Sequence, residues 1–204
     1  WGEMILESVL EKSGLVKNQE YHVQQSFTTA DGRRLQPDVV IQLPDHKHLV
    51  IDSKLSLNAY ERFVNEEDPS ARDLALRNHI QSVRQHIKEL GQKDYQKLYG
   101  LDSLDFVLMF VPVEPAFNAA VSQDTSLYNE AFERNIIMVS HSTLLATLRT
   151  VASIWRQEKQ NRNAMKIADE GGKLYDKLSG FVNTMDDLGK RLKLQTLTSQ
   201  LEKD

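Results

Sequence analysis

Residues 37–54, Pro-Asp-Val-Val-Ile-Gln-Leu-Pro-Asp-His-Lys-His-Leu-Val-Ile-Asp-Ser-Lys, restrict the fold more than any other stretch of this chain. Two apolar runs, residues 39–43 and 49–51, flank a short polar turn, and that pattern predicts a β-hairpin. Pro37 and Asp38 open the first strand; Asp52 and Lys54 close the second. A hairpin returns the end of its second strand to the start of its first, so Asp38 and Asp52 are expected side by side. Strand alternation puts Asp52 and Lys54 on one face and Ser53 on the other. Two carboxylates and an amine would then converge at one end of a sheet. That layout suits a divalent metal that activates water against a phosphodiester.

The remaining periodicities describe an α/β chain. A helix opens at Trp1-Gly2-Glu3, carries Ile5, Leu6, Val9 and Leu10 on its apolar face, and stops at Gly14. Residues 21–28 alternate as a strand before a turn at Ala30-Asp31-Gly32. Residues 57–64 and 71–90 are helical, separated by Asp68-Pro69-Ser70, where proline fits a first turn. Residues 106–111 and 136–140 read as buried strands around a helix at 127–134. Ser142 is placed to cap a long helix from about Thr143. Beyond Gly171-Gly172, Leu174, Leu178, Phe181, Met185, Leu188 and Leu192 recur at three or four residues, the mark of an amphipathic or coiled-coil helix. The expected division is therefore a body over 1–170 and a helical tail over 171–204.

At 204 residues the chain can bury a full core. It has no cysteine, which excludes disulfides and thiolate metal sites and suits a reducing, cytoplasmic compartment. No apolar run approaches the roughly 20 residues of a membrane span, so no membrane contact is expected of it. The first residue is Trp1 rather than methionine, which reads as a fragment of something longer. A net charge of −4 argues against a general nucleic-acid coat but not against a metal nuclease with an acidic pocket. The most basic stretch is 146–166, where Arg149, Arg156, Lys159, Arg162 and Lys166 face only Glu158. Its plainer reading is a solvated helix face.

Pro37-Asp38, thirteen residues, then Asp52-Ser53-Lys54 resembles the PD-(D/E)xK nuclease superfamily. The resemblance implies a restriction-endonuclease-like mixed sheet flanked by helices, here followed by a long amphipathic helical region. It also implies a further acid on the preceding helix; Glu3 and Glu7 are candidates, and Glu3 has the superfamily's spacing to Gly14. Leu35-Gln36-Pro37-Asp38-Val39-Val40, Val50-Ile51-Asp52-Ser53-Lys54 and Phe110-Val111-Pro112-Val113-Glu114 are similar to a narrower group, the bacterial RmuC family. So are the stretch from His79 through His86 to Lys93-Asp94-Tyr95 and the segment Ser142-Thr143-Leu144-Leu145. Membership would imply a nuclease domain beside coiled-coil helices, acting in DNA recombination and limiting rearrangement at inverted repeats.

On that resemblance Asp38, Asp52, Lys54 and Glu3 are the catalytic set. Mg²⁺, with Mn²⁺ as a substitute, would bind Asp38, Asp52, the Ser53 carbonyl and Glu3 directly or through water. Lys54 would orient the nucleophile and offset charge on phosphorus. Arg33 and Arg34 precede the Pro-Asp strand and are candidates to hold a nucleic-acid backbone. His79 and His86, seven apart on one helix face, and Arg84 between them are candidates for phosphate contacts. The plainer readings are turn-capping aspartates, an exposed strand lysine and hydrogen-bonded boundary histidines. Glu114 reads either as a supporting acid or as an acid at a helix N-terminus; His46 and His48 read as exposed. Two other functions fit the same residues: a DNA-end or junction binder that does not cut, and an adaptor that forms homo-oligomers through its helical region.

Overall fold

A computed structural model describes residues 2–24, 26–28, 34–44, 47–93, 95 and 102–201. The chain folds as a mixed α/β body that runs into a long C-terminal helix, as the periodicities predict. Its contacts divide into two compact units, Trp1–Trp155 and Arg156–Asp204.

In the first unit, α1 (Gly2–Ser13) leads into β1 (Tyr21–Val23), and the expected hairpin is β4 (Val39–Gln42) with β5 (Lys47–Asp52). Between them, β2 (Phe27–Thr28) and β3 (Arg34–Leu35) pair as a separate two-stranded ribbon. The single strand expected over 21–28 is thus broken. Gln24 adopts φ +52°, a left-handed conformation that ends β1, and its N–H donates to the Asp38 carbonyl. The turn expected at Ala30-Asp31-Gly32 lies outside the described residues.

After the hairpin come α2 (Asn58–Asn65), α3 (Pro69–Gly91), β6 (Asp102–Val111), α4 (Glu114–Gln123), α5 (Ser126–Phe132) and β7 (Ile136–Ser140). Asp68 caps α3 by accepting from the Ala71 N–H at 2.8 Å, with Pro69 in the first turn. Glu114 opens α4, as an acid at a helix N-terminus would, but the span of α4 has no clear sequence signal, since its buried residues are only Ala116, Phe117 and Ala120. So small an apolar face gives almost no periodic signal.

The five-stranded sheet has the order β1-β4-β5-β6-β7, antiparallel on the hairpin side and parallel from β5 to β7. Strand alternation sends Val50, Val107, Met109 and Met138 to one face, where Ile80, Val83, Ile87, Phe117 and Leu127 of α3, α4 and α5 cover them. Ile51, Leu108, Phe110 and Val139 point to the other face, against Leu6, Val9 and Leu10 of α1 and Leu144 and Leu148 of α6 (His141–Leu201). Each large side chain so buried contributes about 1.5–3 kcal/mol. The two sandwiched faces fix the sheet, and the sheet fixes the strand ends that carry the polar residues.

α6 begins one residue before the expected cap. Ser140 and Thr143 bond reciprocally at its start, and Glu114 reaches across to accept from Ser140 Oγ (2.9 Å) and the Ser142 N–H (3.1 Å). Glu114 therefore also serves the N-terminus of α6. The helix continues through Gly171-Gly172 without a break. In the second unit its apolar residues are exposed: Leu174, Leu178, Phe181, Met185, Leu188 and Leu192 are each at least half accessible. Among the described residues no helix is long and apolar enough to cross a membrane.

Candidate active site

The register of the hairpin builds the site. Val39 pairs with Ile51, so the next residues outward, Asp38 and Asp52, meet at the same end of the sheet. Both are buried, at 3% and 0% exposure. A buried carboxylate without partners is costly, and each has acquired its own. Asp38 Oδ2 accepts from the Ser53 N–H (2.7 Å) and Ser53 Oγ (3.1 Å), while Lys54 Nζ lies 2.9 Å from Oδ1. Pairing with Asp38 raises the Lys54 pKa, with Asp52 and Glu3 adding to it. Strict alternation past Asp52 does not hold. β5 ends there, and with no ladder to orient them Ser53 and Lys54 both turn to Asp38.

Asp52 is held from the opposite side. Its Oδ1 accepts from Lys93 Nζ at 2.8 Å and Tyr95 Oη at 3.2 Å, and His86 Nε2 lies 3.2 Å from Oδ2, off the line of a good hydrogen bond. Burial pushes the carboxyl pKa up, but His86 and Lys93 outweigh it and hold the group well below the ordinary carboxylate range. Burial, reinforced by the Asp52 charge, pushes the Tyr95 hydroxyl well above its usual range, so it stays a neutral donor. Lys93 and Tyr95 follow the end of α3, 41 and 43 residues from Asp52 in sequence. Both lie in the stretch similar to the RmuC family, where their residue types alone carry no expected role. Nothing local to them signals a buried aspartate.

The remaining candidates separate. Glu3, in the first turn of α1, lines a small cavity together with Asp38, Glu7 and Gln24. Glu7 is instead paired with Lys17 at 2.7 Å. The two histidines part company: His86 turns to Asp52, whereas His79 is fully buried and donates from Nε2 to the Ala116 carbonyl at 2.9 Å. Burial lowers the His79 pKa, and the ring ties α3 to α4. Arg84 forms a fork to Glu130 (2.9 and 3.0 Å) and Asp124 (2.6 Å), bracing α3 against α4 and α5. His48 is half-buried in β5. Arg33 and His46 lie outside the described residues, as does the side chain of Arg34 in β3.

Among the described residues no three histidine, aspartate or glutamate side chains are gathered around one metal position. The donors that are present nonetheless suit a hard cation. Asp38 Oδ1 and Asp52 Oδ2 are buried and carry no aligned hydrogen bond. Mg²⁺ commonly takes one or two carboxylates and keeps several waters, so two aspartates and a backbone carbonyl are a sufficient set. At the carboxyl ends of β5 and β6 opens a cleft of about 710 Å³ walled by Leu55, Leu57, Tyr60, Val64, Pro112 and Val113, with neither aspartate in its lining. Crevices at that end of parallel strands are where α/β sheets usually take ligands.

The RmuC family model matches residues 1–203. The chain is 57% identical over 196 residues to a DNA recombination protein RmuC homolog of Neisseria meningitidis serogroup A, covering 93% of this chain and 33% of that protein. Identity is 54% over 192 residues with the homolog of Vibrio cholerae, covering 94% and 37%. It is 52% over 192 residues with DNA recombination protein RmuC of Escherichia coli K12, covering 94% and 40%. The chain thus spans between a third and two fifths of the length of these curated relatives. Matched along virtually all of its own length and more than half identical to these relatives, the chain belongs to the RmuC family.

Proposed function

We propose that this chain is the phosphodiester-cleaving body of a DNA recombination protein, a magnesium-dependent deoxyribonuclease of the PD-(D/E)xK type. The observation that carries the proposal is the convergence of Asp38, Asp52 and Lys54 at one sheet end, with both aspartates buried. The relatives' name supplies the biological setting. A divalent cation, when bound, supplies Lewis-acid polarisation of a phosphoryl oxygen and a water of lowered pKa. Asp38, Asp52 and the Ser53 carbonyl would hold it, with Glu3 contributing directly or through water. The Ser53 amide and hydroxyl fix the Asp38 rotamer. Lys54, half-exposed and raised in pKa, keeps its proton and stabilises negative charge on the phosphoryl group.

The test is cleavage of end-labelled linear, supercoiled and hairpin-bearing DNA with Mg²⁺ or Mn²⁺. Lys54→Ala should lose about 10²–10³ in rate, the usual effect of removing one electrostatic stabiliser, and EDTA should abolish cutting. Equal residual cutting by wild type and variant would reveal a contaminant and end the proposal. One observation favours a second reading, a DNA-end or junction binder that does not cut: each aspartate already holds a lysine. Retained DNA binding with no cleavage under any metal would select that reading.

A further inference from the structure

The two aspartates are each neutralised by a lysine without any metal. Asp38 faces Lys54 at 2.9 Å, and Asp52 faces Lys93 at 2.8 Å. With Glu3, which lines a cavity with Asp38, three carboxylates and two ammonium groups sum to −1, so a divalent cation entering among them would leave an excess of one positive charge beside two buried aspartates. Low effective dielectric makes such an excess strongly unfavourable. One ammonium must therefore move away.

Lys54 is assigned to the phosphoryl group in the proposed function, which leaves Lys93 as the ammonium to move. Lys54 is already half in solvent, at 52% side-chain exposure, and its partner Asp38 keeps two further donors on its other oxygen from Ser53. Lys93 shares the very carboxylate oxygen that Tyr95 also uses, so Asp52 Oδ1 keeps a donor when Lys93 departs. The Lys93 backbone is fixed where α3 ends, its N–H donating to the Leu90 carbonyl at 3.1 Å. Its side chain is 32% exposed, which leaves the flexible stem a route to water. The ammonium also lies 5.8 Å from the Tyr95 ring centre, within the range of a cation–π contact that can retain it near the site.

We propose that Lys93 is a tethered counter-cation of Asp52, which holds the buried carboxylate in the metal-free chain and is displaced when a divalent cation binds. Lys93 is a positioning residue on this account, and it sets metal affinity by competition. The proposal rests on the reading that Asp38 and Asp52 are metal ligands. It adds a residue that the family-like catalytic set, Glu3, Asp38, Asp52 and Lys54, does not contain.

The test uses the unmodified chain with Mn²⁺ or Mg²⁺ alone. Binding is followed by calorimetry, and lysine accessibility by brief treatment with an amine-acetylating reagent and peptide mass spectrometry. Saturating metal should raise acetylation of Lys93 by about threefold or more while Lys17, paired with Glu7 on α1, stays constant and serves as the reference. Unchanged or reduced Lys93 labelling with metal bound would overturn the proposal. In a parallel titration Lys93→Met should bind the cation about tenfold more tightly, a change of 1.4 kcal/mol. Lys93→Arg, which keeps the charge, should not bind it more tightly than wild type. Equal affinity of wild type and Lys93→Met would also overturn the competition. Should Lys93→Met fail to fold with Asp52 left short of a partner, the labelling of the unmodified chain decides alone. Absence of any metal binding in wild type and variant alike would remove the metal reading itself, and the proposal with it.

Discussion

Asp52 shows how far a residue's chemistry depends on where its strand ends. It is wholly buried yet held well below the ordinary carboxylate range by His86 and Lys93. The folded chain therefore keeps Asp52 ionised at pH values where the unfolded chain protonates it. The stabilisation is complete above the unfolded pKa of about 3.9, and is lost as pH falls from there toward the lower folded value. Asp52→Asn should lower stability at neutral pH by about 1–3 kcal/mol, since Lys93 and Tyr95 lose a charged acceptor. It should also flatten the acid limb between roughly pH 5 and pH 2. Urea unfolding across that range is the measurement; an acid limb as steep in the variant as in wild type would assign acid sensitivity to other carboxylates.

Among the elements, α6 has two different environments along its length. Its first turns bury Leu144, Leu148, Val151 and Ala152 against the sheet. In the second unit the same helix exposes a stripe at heptad-like spacing, including Leu178 and Phe181 at 58% and 61%. It also carries Gly171-Gly172, each about 1 kcal/mol less favourable in a helix than alanine. Exposed i,i+4 pairs such as Lys173 with Asp169 add only a few tenths of a kcal/mol. A helix so constituted is sustained by packing more than by propensity. If the helical region forms homo-oligomers, as the sequence alternative has it, light scattering should give a particle mass above that of the monomer. Leu178→Lys with Phe181→Lys should return it to the monomer without changing the unfolding midpoint of the first unit. A monomeric mass for the unsubstituted chain would discard self-association.

For the molecule as a whole, the site depends on a sheet clamped on both faces. Phe110 is fully buried at the centre of the α1–α6 face, on the strand adjacent to β5. Phe110→Ala should cost about 3–5 kcal/mol in urea unfolding, with an unchanged dependence on denaturant. A loss well below 1 kcal/mol would mean that this face is not packed as described. The Lys93 contact to Asp52 should persist in that variant while it remains folded, because Lys93 is fixed by the end of α3 on the opposite face.

The sequence by itself determined the features whose causes are local. Two apolar runs and the short polar turn set the hairpin, and its antiparallel return then brought Asp38 to Asp52 without any knowledge of the rest of the fold. Continuous apolar runs marked the two parallel strands, and Asp68-Pro69 marked the start of α3. Tertiary structure decided the features whose partners are distant in sequence. His79 and His86 share a helix face, yet one meets a carbonyl of α4 and the other a carboxylate of β5. Arg84, between them, is drawn to Asp124 and Glu130 by how α4 and α5 pack. Lys93 and Tyr95 reach Asp52 only because α3 runs back along the sheet and ends beside the tip of β5. Periodicity specifies which face a residue occupies; only packing specifies what it meets there.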